Sequence, residues 1–323
     1  MQTSTITGGI MPTTMKAERI HFFGGPDVLQ FEDVPRPEPA ENQLLIHVHA
    51  AGVNPVDWKI REGHFPTPLP STMGIDFSGV VAALGPGVRD FRVGDAVFGE
   101  VADESGSYAE YAVAVVSQVA KKPAVLDDVQ AAALPVASLT AWQALFDVAE
   151  LKAGQKVLIH AAAGGVGSFA VQFAKWKGAS VIGTASRRHA DYVRGLGADE
   201  VIDYQTTKFE DVVRDVDVVL DTIGGETQDR SWQVLKRGSV LVSVVQPPPQ
   251  EKATARGVGG HFLISKARGD QLAKIAELVA SGRVKVNIET VLPLSEARKA
   301  HELSQSGHAG GKIVLQVHND AKR

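Results

Sequence analysis

The apolar positions along this 323-residue chain fall into two textures. From Lys16 to Ala124 they come in short runs broken by Pro and Gly, as in "LLIHVHAAGVNP", "GIDFSGVVAALGPG" and "DFRVGDAVFGE". Short runs between turn-forming residues predict short strands and an irregular β-rich domain. From Val125 onward, apolar runs alternate with segments of helical spacing, which predicts βαβ units on a parallel sheet. "KVLIHA", "SVIGTA", "EVIDY", "VDVVLDTIGG" and "SVLVSVV" read as its strands. Their Val-rich runs lack polar alternation, as strands buried on both faces do. Helices are expected from Gly167 to Trp176 with Gly178 as the cap, over "HADYVRGLG" to Gly197, and from Gln228 to Lys236, stopping at Gly238. After "QPPPQ" comes a polar, Gly-containing loop, then the amphipathic helix "GDQLAKIAELVASG". The last stretch, "VLPLSEARKAHELSQSGHAGGKIVLQV", reads as a helix and a final strand. The expected division is a flexible tail over 1–15, a β-rich domain over 16–124 and 267–323, and an α/β domain over 125–266 inserted into it.

Composition narrows the class. Hydrophobic residues make up 44% of the chain and the net charge is −4. The cores are therefore ordinary, and there is no basic field of the kind a nucleic-acid partner requires. No cysteine is present, so disulfides, thiolate nucleophiles and cysteine–zinc sites are excluded, and a reducing, cytoplasmic setting is expected. No apolar run reaches the ~20 residues of a membrane span. The opening "MQTSTITGGIMPTTMK" lacks the basic and apolar regions of a secretory signal.

One motif carries specific chemistry. In "AAGGVG" (Ala162, Ala163, Gly164, Gly165, Val166, Gly167), Ala162, Gly164 and Gly167 occupy the three positions of G-x-G-x-x-G, with alanine first. The turn follows an expected strand and opens an expected helix, the context a dinucleotide-binding turn requires. Small residues admit a pyrophosphate, and the helix N-terminus meets it with free N–H groups and positive potential. An NAD-preferring site places an acid at the end of the second strand. Here that position falls near Ala185, and Ser186, Arg187 and Arg188 follow. Positive donors without an acid suit a 2′-phosphate, so NADPH is the expected cofactor. One good contact to a charged group gives roughly ten- to hundred-fold preference.

Several further stretches match a known family. "GVNPVDWKIREG" (52–63), "GIDFSGVV" (74–81), "VGDAVFG" (93–99), "GSYAEY" (106–111), "LTAWQAL" (139–145), "AAGGVG" and "GKIVL" (311–315) together resemble the medium-chain dehydrogenase/reductase superfamily. The resemblance implies an α/β fold class: a GroES-like β-rich catalytic domain, completed by the C-terminal segment, beside a Rossmann-type doubly wound domain, with the active site between them. It also places Asn54 and Ile75 where zinc alcohol dehydrogenases carry their first Cys and His ligands. Neither residue suits zinc, so the chain is similar to the zinc-free quinone oxidoreductase and alkenal/enone reductase branch, and no metal is expected. The implied reaction is hydride transfer from NADPH to a quinone or to the C=C bond of an α,β-unsaturated carbonyl. A zinc-independent carbonyl reductase, and a non-catalytic NADPH-binding sensor or structural protein, are the alternatives. A small-molecule substrate and a homo-oligomer, with the dimer favoured, follow from the same resemblance.

On this basis the catalytic candidates are Asn54 and Lys59. Asn54 either holds the nicotinamide ribose or substrate oxygen, or is a turn former before Pro55. Lys59, where several quinone reductases carry tyrosine, either donates to a developing oxyanion or is a solvated lysine. The expected cofactor contacts are the turn 162–167, Ser186, Arg187, Arg188 and Tyr204, together with Thr140, Ser243, Val245, Phe262 and Lys312. Asp57 and Asp76 read as polar anchors of the β domain. His47 and His49 alternate on one face of a strand with no acidic or cysteine companion nearby in sequence, as a solvent-facing pair would.

Overall fold

The computed structural model describes residues 13–307 and 309–318. The expected α/β architecture is present, with a β-rich domain and a parallel-sheet domain. Six strands form the parallel sheet in the order Glu200–Asp203, Ser180–Ala185, Lys156–Ile159, Val216–Asp221, Leu235–Ser243 and Gly259–Phe262. The order reverses beside Lys156–Ile159, and in doubly wound sheets the ligand crevice opens at such a switch point. Val157, Leu158 and Ile159 are fully buried, with apolar clusters on both sides of the sheet.

The β-rich domain is built round the long strand Gln43–Val53. It pairs antiparallel with Asp76–Leu84, with Tyr111–Val115 and with the C-terminal strand Lys312–Gln316. The chain therefore leaves this domain, builds the parallel sheet and returns, as the inserted arrangement requires. The return puts Lys312 within reach of Val53 and Asn54 at the strand's end.

Three local expectations need correction. The strand Thr14–Ile20 begins inside the tail expected over 1–15, because Met15 is buried against Ala17, Val34 and Ala109; residues 1–12 of that tail lie outside the described residues. The helix expected over 228–236 is Gly225–Ser231, and Leu235–Ser243 is already strand. Trp232 and Val234 turn into the core, and Gly238, at φ +75, lies within the strand instead of ending a helix. The polar loop after "QPPPQ" contains the helix Gln250–Arg256, closed by left-handed Gly257, and the edge strand Gly259–Phe262.

The amphipathic helix Gly269–Ala280 is present where its periodicity places it. Its Leu272, Ile275 and Ala276 share one apolar cluster with Leu139, Phe169 and Phe173. Its apolar face is therefore covered by elements of the α/β domain, although it follows the boundary expected at 266.

Candidate active site

The glycine-rich turn joins a strand to a helix, as its sequence predicts. The helix Gly165–Lys177 starts from Gly164 in extended geometry, leaving the first-turn N–H groups without helical partners. A methyl on Gly167 would stand 2.2 Å from the Ala161 carbonyl oxygen and 2.8 Å from Ala162 Cα. Glycine is required there by close approach. The alanine at the first position has its own answer on the neighbouring strand. A Cβ on Gly183 would lie 2.8 Å from the Ala162 methyl, so the missing side chain at 183 makes room for the added one at 162. Ala161 takes a left-handed φ of +47, a conformation costing about 1 kcal/mol or more, and its N–H is held by Thr184 Oγ1 at 3.2 Å.

Behind the turn lies His160, which sequence reasoning does not single out. Its ring is buried between Thr184 Oγ1 at 3.2 Å and Ser231 Oγ at 2.8 Å, and burial pushes its pKa down to about 4. It is a neutral spacer that fixes the end of the central strand. Asp221 is a second such residue. It accepts from the N–H groups of Ile223 and Gly224, from Gln228 and from Ser243 Oγ at 2.8 Å. An acid closing a buried "VVLD" strand is the signal that could have found it. Ser243 is thus fully buried and bonded to Asp221, while Val245 is half-buried on the loop that follows.

At the end of the second strand, Ser186, Arg187, Arg188, Tyr204 and Gln205 line one open cleft of about 480 Å³. Both arginines are exposed there. Tyr204 is 59% exposed on the same cleft, and Gln205 is an addition that the sequence does not signal. Ala185 ends the strand buried, with Ser186 near His189 at 3.3 Å.

Three of the remaining candidates, Asn54, Lys312 and Thr140, gather around Asp76. Asn54 is buried as the N-cap of the helix Pro55–Arg61. Its Nδ2 donates to Asp76 Oδ2 at 2.8 Å, and its Oδ1 accepts from Lys312 Nζ. Lys312 Nζ also donates to the Val53 carbonyl at 3.0 Å and lies 3.7 Å from Asp76 Oδ2. Its stem passes the phosphate turn, with Cδ 3.3 Å from where a Gly165 Cβ would be. Asp76 Oδ1 accepts from the Val136 N–H at 3.0 Å, in the first turn of the helix Pro135–Trp142. That helix carries Thr140, whose hydroxyl meets the Val136 carbonyl at 2.6 Å and Ser265 Oγ at 2.9 Å. Asn54, Asp76, Lys312 and Thr140 therefore form one connected set. Lys59 stands apart, half-buried with its ammonium over the Trp58 ring. Phe262 is 42% exposed on the edge strand.

Burial dominates the electrostatics of this set. It raises the carboxyl of Asp76 and lowers the ammonium of Lys312, each partly offset by the other. Asp57 is fully buried, accepts from the Asn54 N–H at 2.7 Å and the Tyr108 hydroxyl at 2.9 Å, and is pushed by burial to about 7. A carboxyl moved that far above its ordinary value costs roughly 4 kcal/mol of stability once ionised. The sign is fixed: the folded state holds a proton that the unfolded state has released. This contribution is complete below about pH 4, the unfolded value, and is lost as pH rises through about 7. Asp57→Asn is expected to flatten the decline of unfolding free energy between those limits, measured by urea titration at several pH values. A variant-minus-wild-type difference independent of pH would remove Asp57 from this account.

A β-rich domain completed by the C-terminal strand, a doubly wound domain with a glycine turn, and a polar cluster at their junction define a two-domain nucleotide-dependent oxidoreductase. The comparisons carry this further. A family model described as "Alcohol dehydrogenase GroES-like domain" matches residues 40–124, and one described as "Zinc-binding dehydrogenase" matches residues 196–315. The chain is 38% identical to an NADPH-dependent alkenal/one oxidoreductase of Arabidopsis thaliana chloroplasts, over 94% of this chain and 80% of that one. Among solved structures, a quinone oxidoreductase from Coxiella burnetii is 40% identical with a TM-score of 0.90, over 94% of this chain and 100% of that one. A mycobacterial protein solved in complex with NADPH is 31% identical with a TM-score of 0.85, over the same shares. The chain belongs to the quinone and alkenal/enone oxidoreductase branch of the medium-chain dehydrogenase/reductase superfamily. It is an oxidoreductase. No helix among the described residues is long and apolar enough to cross a membrane.

Proposed function

We propose that this enzyme uses NADPH to reduce quinones or the C=C bond of α,β-unsaturated carbonyls, without a catalytic metal. The observation that carries the cofactor choice is the cleft of Ser186, Arg187, Arg188 and Tyr204 at the end of the second strand, where an NAD site would place an acid. The turn at Gly164, Gly165 and Gly167 suits the pyrophosphate, since a side chain at 167 would fill the space the backbone needs. Bound NADPH supplies the hydride.

The chain's own residues then have three tasks. The turn N–H groups hold the region beside the pyrophosphate positive, while Lys312, whose stem passes the turn, holds Asn54 through its ammonium. Asp76 ties the Thr140 helix to Asn54, so both sides of the cleft share one anchor. The second N–H of the Asn54 amide is the donor assigned to the oxyanion that develops on the substrate, with Lys59, which stands apart from this cluster over the Trp58 ring, as the alternative donor. Val245, Ser243 and Phe262 belong to the nicotinamide end, at the carboxyl edge of the sheet. Quinones and enones fit a site of this kind because their oxyanion is delocalised and needs hydrogen bonds rather than a Lewis acid. A cytoplasmic homodimer, joined along the edge strand Gly259–Phe262, belongs to the same proposal.

Two measurements test it. Oxidation of NADPH and NADH is followed with a naphthoquinone, an enone, an alkenal and a saturated aldehyde, each with and without chelator. NADPH-dependent turnover of the quinone or enone, indifferent to chelator, is the expected result. Turnover confined to the aldehyde, or tight NADPH binding without turnover, would overturn it. In the double variant Arg187→Ala/Arg188→Ala, KM for NADPH should rise about ten- to hundred-fold while that for NADH stays level. Equal loss with both cofactors would reject the arginine assignment.

A further inference from the structure

Glu100 ends the strand Ala96–Glu100, which pairs antiparallel with Asp76–Leu84. In that register it stands directly opposite Asp76, so the two side chains share one face with their Cβ atoms roughly 5 Å apart. Alternation along the strand fixes which face this is. Val97 and Val101 turn into the core of the β-rich domain, whereas Phe98 packs with Leu134, Ala137 and Leu139. Glu100, two residues from Phe98, therefore faces the junction where Asp76 holds Asn54 and the Val136 N–H. The two carboxyls differ in their company. Asp76 accepts from Val136 and Asn54 and has the Lys312 ammonium at 3.7 Å. Glu100 is half-buried, yet its Oε1 is buried with no hydrogen-bond partner. Facing carboxylates repel, so one keeps a proton. The donors favour the anion at Asp76, which leaves the proton to Glu100. Burial, with Asp76 adding to it, pushes the Glu100 carboxyl up to about 8. The other charged groups on the elements packed against it are engaged elsewhere. The helix Pro135–Trp142 carries none. On the neighbouring strand Val119–Lys121, Lys121 pairs with Asp95 at 3.0 Å, and the following Lys122 lies 3.5 Å from Asp128. Asp128, in the helix Asp128–Ala132, is held by Ser78 Oγ at 2.7 Å and lies 2.9 Å from His49 Nδ1. That last contact also corrects the reading of His49 as a solvent-facing histidine without an acidic companion.

We infer that Glu100 is the acid that protonates the α-carbon of the substrate once the hydride has reached the β-carbon. The inference rests on the reductase reading. Reduction of an enone takes up one proton for each hydride. Hydride addition leaves the C=C electron pair on an enolate. The Glu100 O–H bond then breaks, a C–H bond forms at the α-carbon, and the carboxylate left behind recovers its proton from water. With a quinone the same proton goes to a hydroquinonate oxygen. A general acid works best with a pKa near the operating pH; a carboxyl at its ordinary value is already ionised there. Because Glu100 is only half-buried, water can return the proton after each turnover. Asp76 keeps that proton on Glu100 until an enolate, a stronger base than a carboxylate, is formed. Asn54 thus serves the oxygen end of the substrate and Glu100 the carbon.

The test uses the full chain with NADPH and an α-methyl enone in D₂O. The wild-type enzyme should deliver deuterium to one face of the α-carbon, and its kcat should fall as pH rises through about 8. Glu100→Gln keeps the shape and removes the proton. Its kcat should drop about a hundredfold and lose that pH dependence, the product should carry deuterium on both faces, and KM for NADPH should stay level. Circular dichroism confirms that the variant is folded. The infrared difference between wild type and Glu100→Gln, recorded without cofactor, should show a protonated carboxyl that disappears near pH 8. A wild-type kcat that is level across this range, or the absence of that carboxyl band, overturns the assignment whether or not the variant folds. A slower variant that still delivers deuterium to one face also overturns it, because a merely structural Glu100 changes the rate and not the face. If the wild type turns over neither enone nor quinone, the reductase reading falls and this inference with it. If the wild type turns over and Glu100→Gln behaves identically, only this inference falls.

Discussion

Lys312→Met should lose about 3–5 kcal/mol of stability at neutral pH and cut kcat/KM about a hundredfold or more, a loss of roughly 3 kcal/mol in transition-state stabilisation. The reason is the company Lys312 keeps. Its ammonium is buried and touches the Val53 carbonyl, Asn54 Oδ1 and, at 3.7 Å, Asp76. Removing one partner of a buried pair leaves the other charge without compensation, which costs far more than the pair itself contributes. Methionine keeps the volume of the stem against Gly165, so a packing defect does not explain the loss. Asn54 then loses the bond at its Oδ1, and the helix cap that Asp76 provides at Val136 is left on a carboxyl driven toward its neutral form.

The same reasoning gives the direction with pH. Asp76 is already raised by burial despite Lys312. Without the lysine it rises further, so the folded variant holds a proton that the unfolded chain gives up. A raised carboxyl contributes stability below the unfolded value and loses it as pH rises. The deficit of Lys312→Met is therefore smaller at pH 5 than at pH 8, by urea unfolding. Lys312→Met/Asp76→Asn should recover most of the stability and little of the activity. If the double variant is no more stable than the single one, the buried-charge explanation fails.

Legibility in the sequence follows the range of the physics. The glycine-rich turn is a local device: strand, small residues and helix start are contiguous, so one stretch locates Gly164 and Gly167 at the strand–helix junction. Arg187 and Arg188 are legible for the same reason, as the position after a strand end fixes their neighbourhood. The sequence singles out Asn54 but not its partners. Asp76 and Lys312 lie 22 and 258 residues away, and only the returning strand brings them together. The His49–Asp128 pair spans 79 residues, which is why His49 has no acidic companion in its local sequence. The helix Gly269–Ala280 is legible as amphipathic, but periodicity says only that a face is covered, not which domain covers it. The start of Leu235–Ser243 is illegible because Gly238 signals a helix stop and an irregular strand equally well.

A single methyl at Gly167 is expected to cost more in cofactor binding than in stability. In Gly167→Ala the new carbon would sit 2.2 Å from the Ala161 carbonyl oxygen and 2.8 Å from Ala162 Cα. Both are backbone, so no rotamer change relieves the contact, and the helix must back away from the strand. Helix propensity favours alanine by only about 1 kcal/mol, whereas forced overpacking costs about 1–3 kcal/mol and occasionally more. The balance is a net loss of stability. The larger effect is on the ligand. The N–H groups of Gly165, Val166 and Gly167 move with the helix, and a shift of about 1 Å at a positioning element costs on the order of a hundredfold. NADPH affinity, measured by fluorescence titration, should therefore fall about a hundredfold while the fold persists. Gly195→Ala is the matched control: nothing lies within 4 Å of its added carbon, and it sits at the last position of the helix Ala190–Gly195. There the propensity term acts alone, so stability should hold or rise by a few tenths of a kcal/mol to about 1 and NADPH affinity should not change. If Gly167→Ala binds NADPH as tightly as Gly195→Ala, the turn is a strand–helix connection and not the pyrophosphate site.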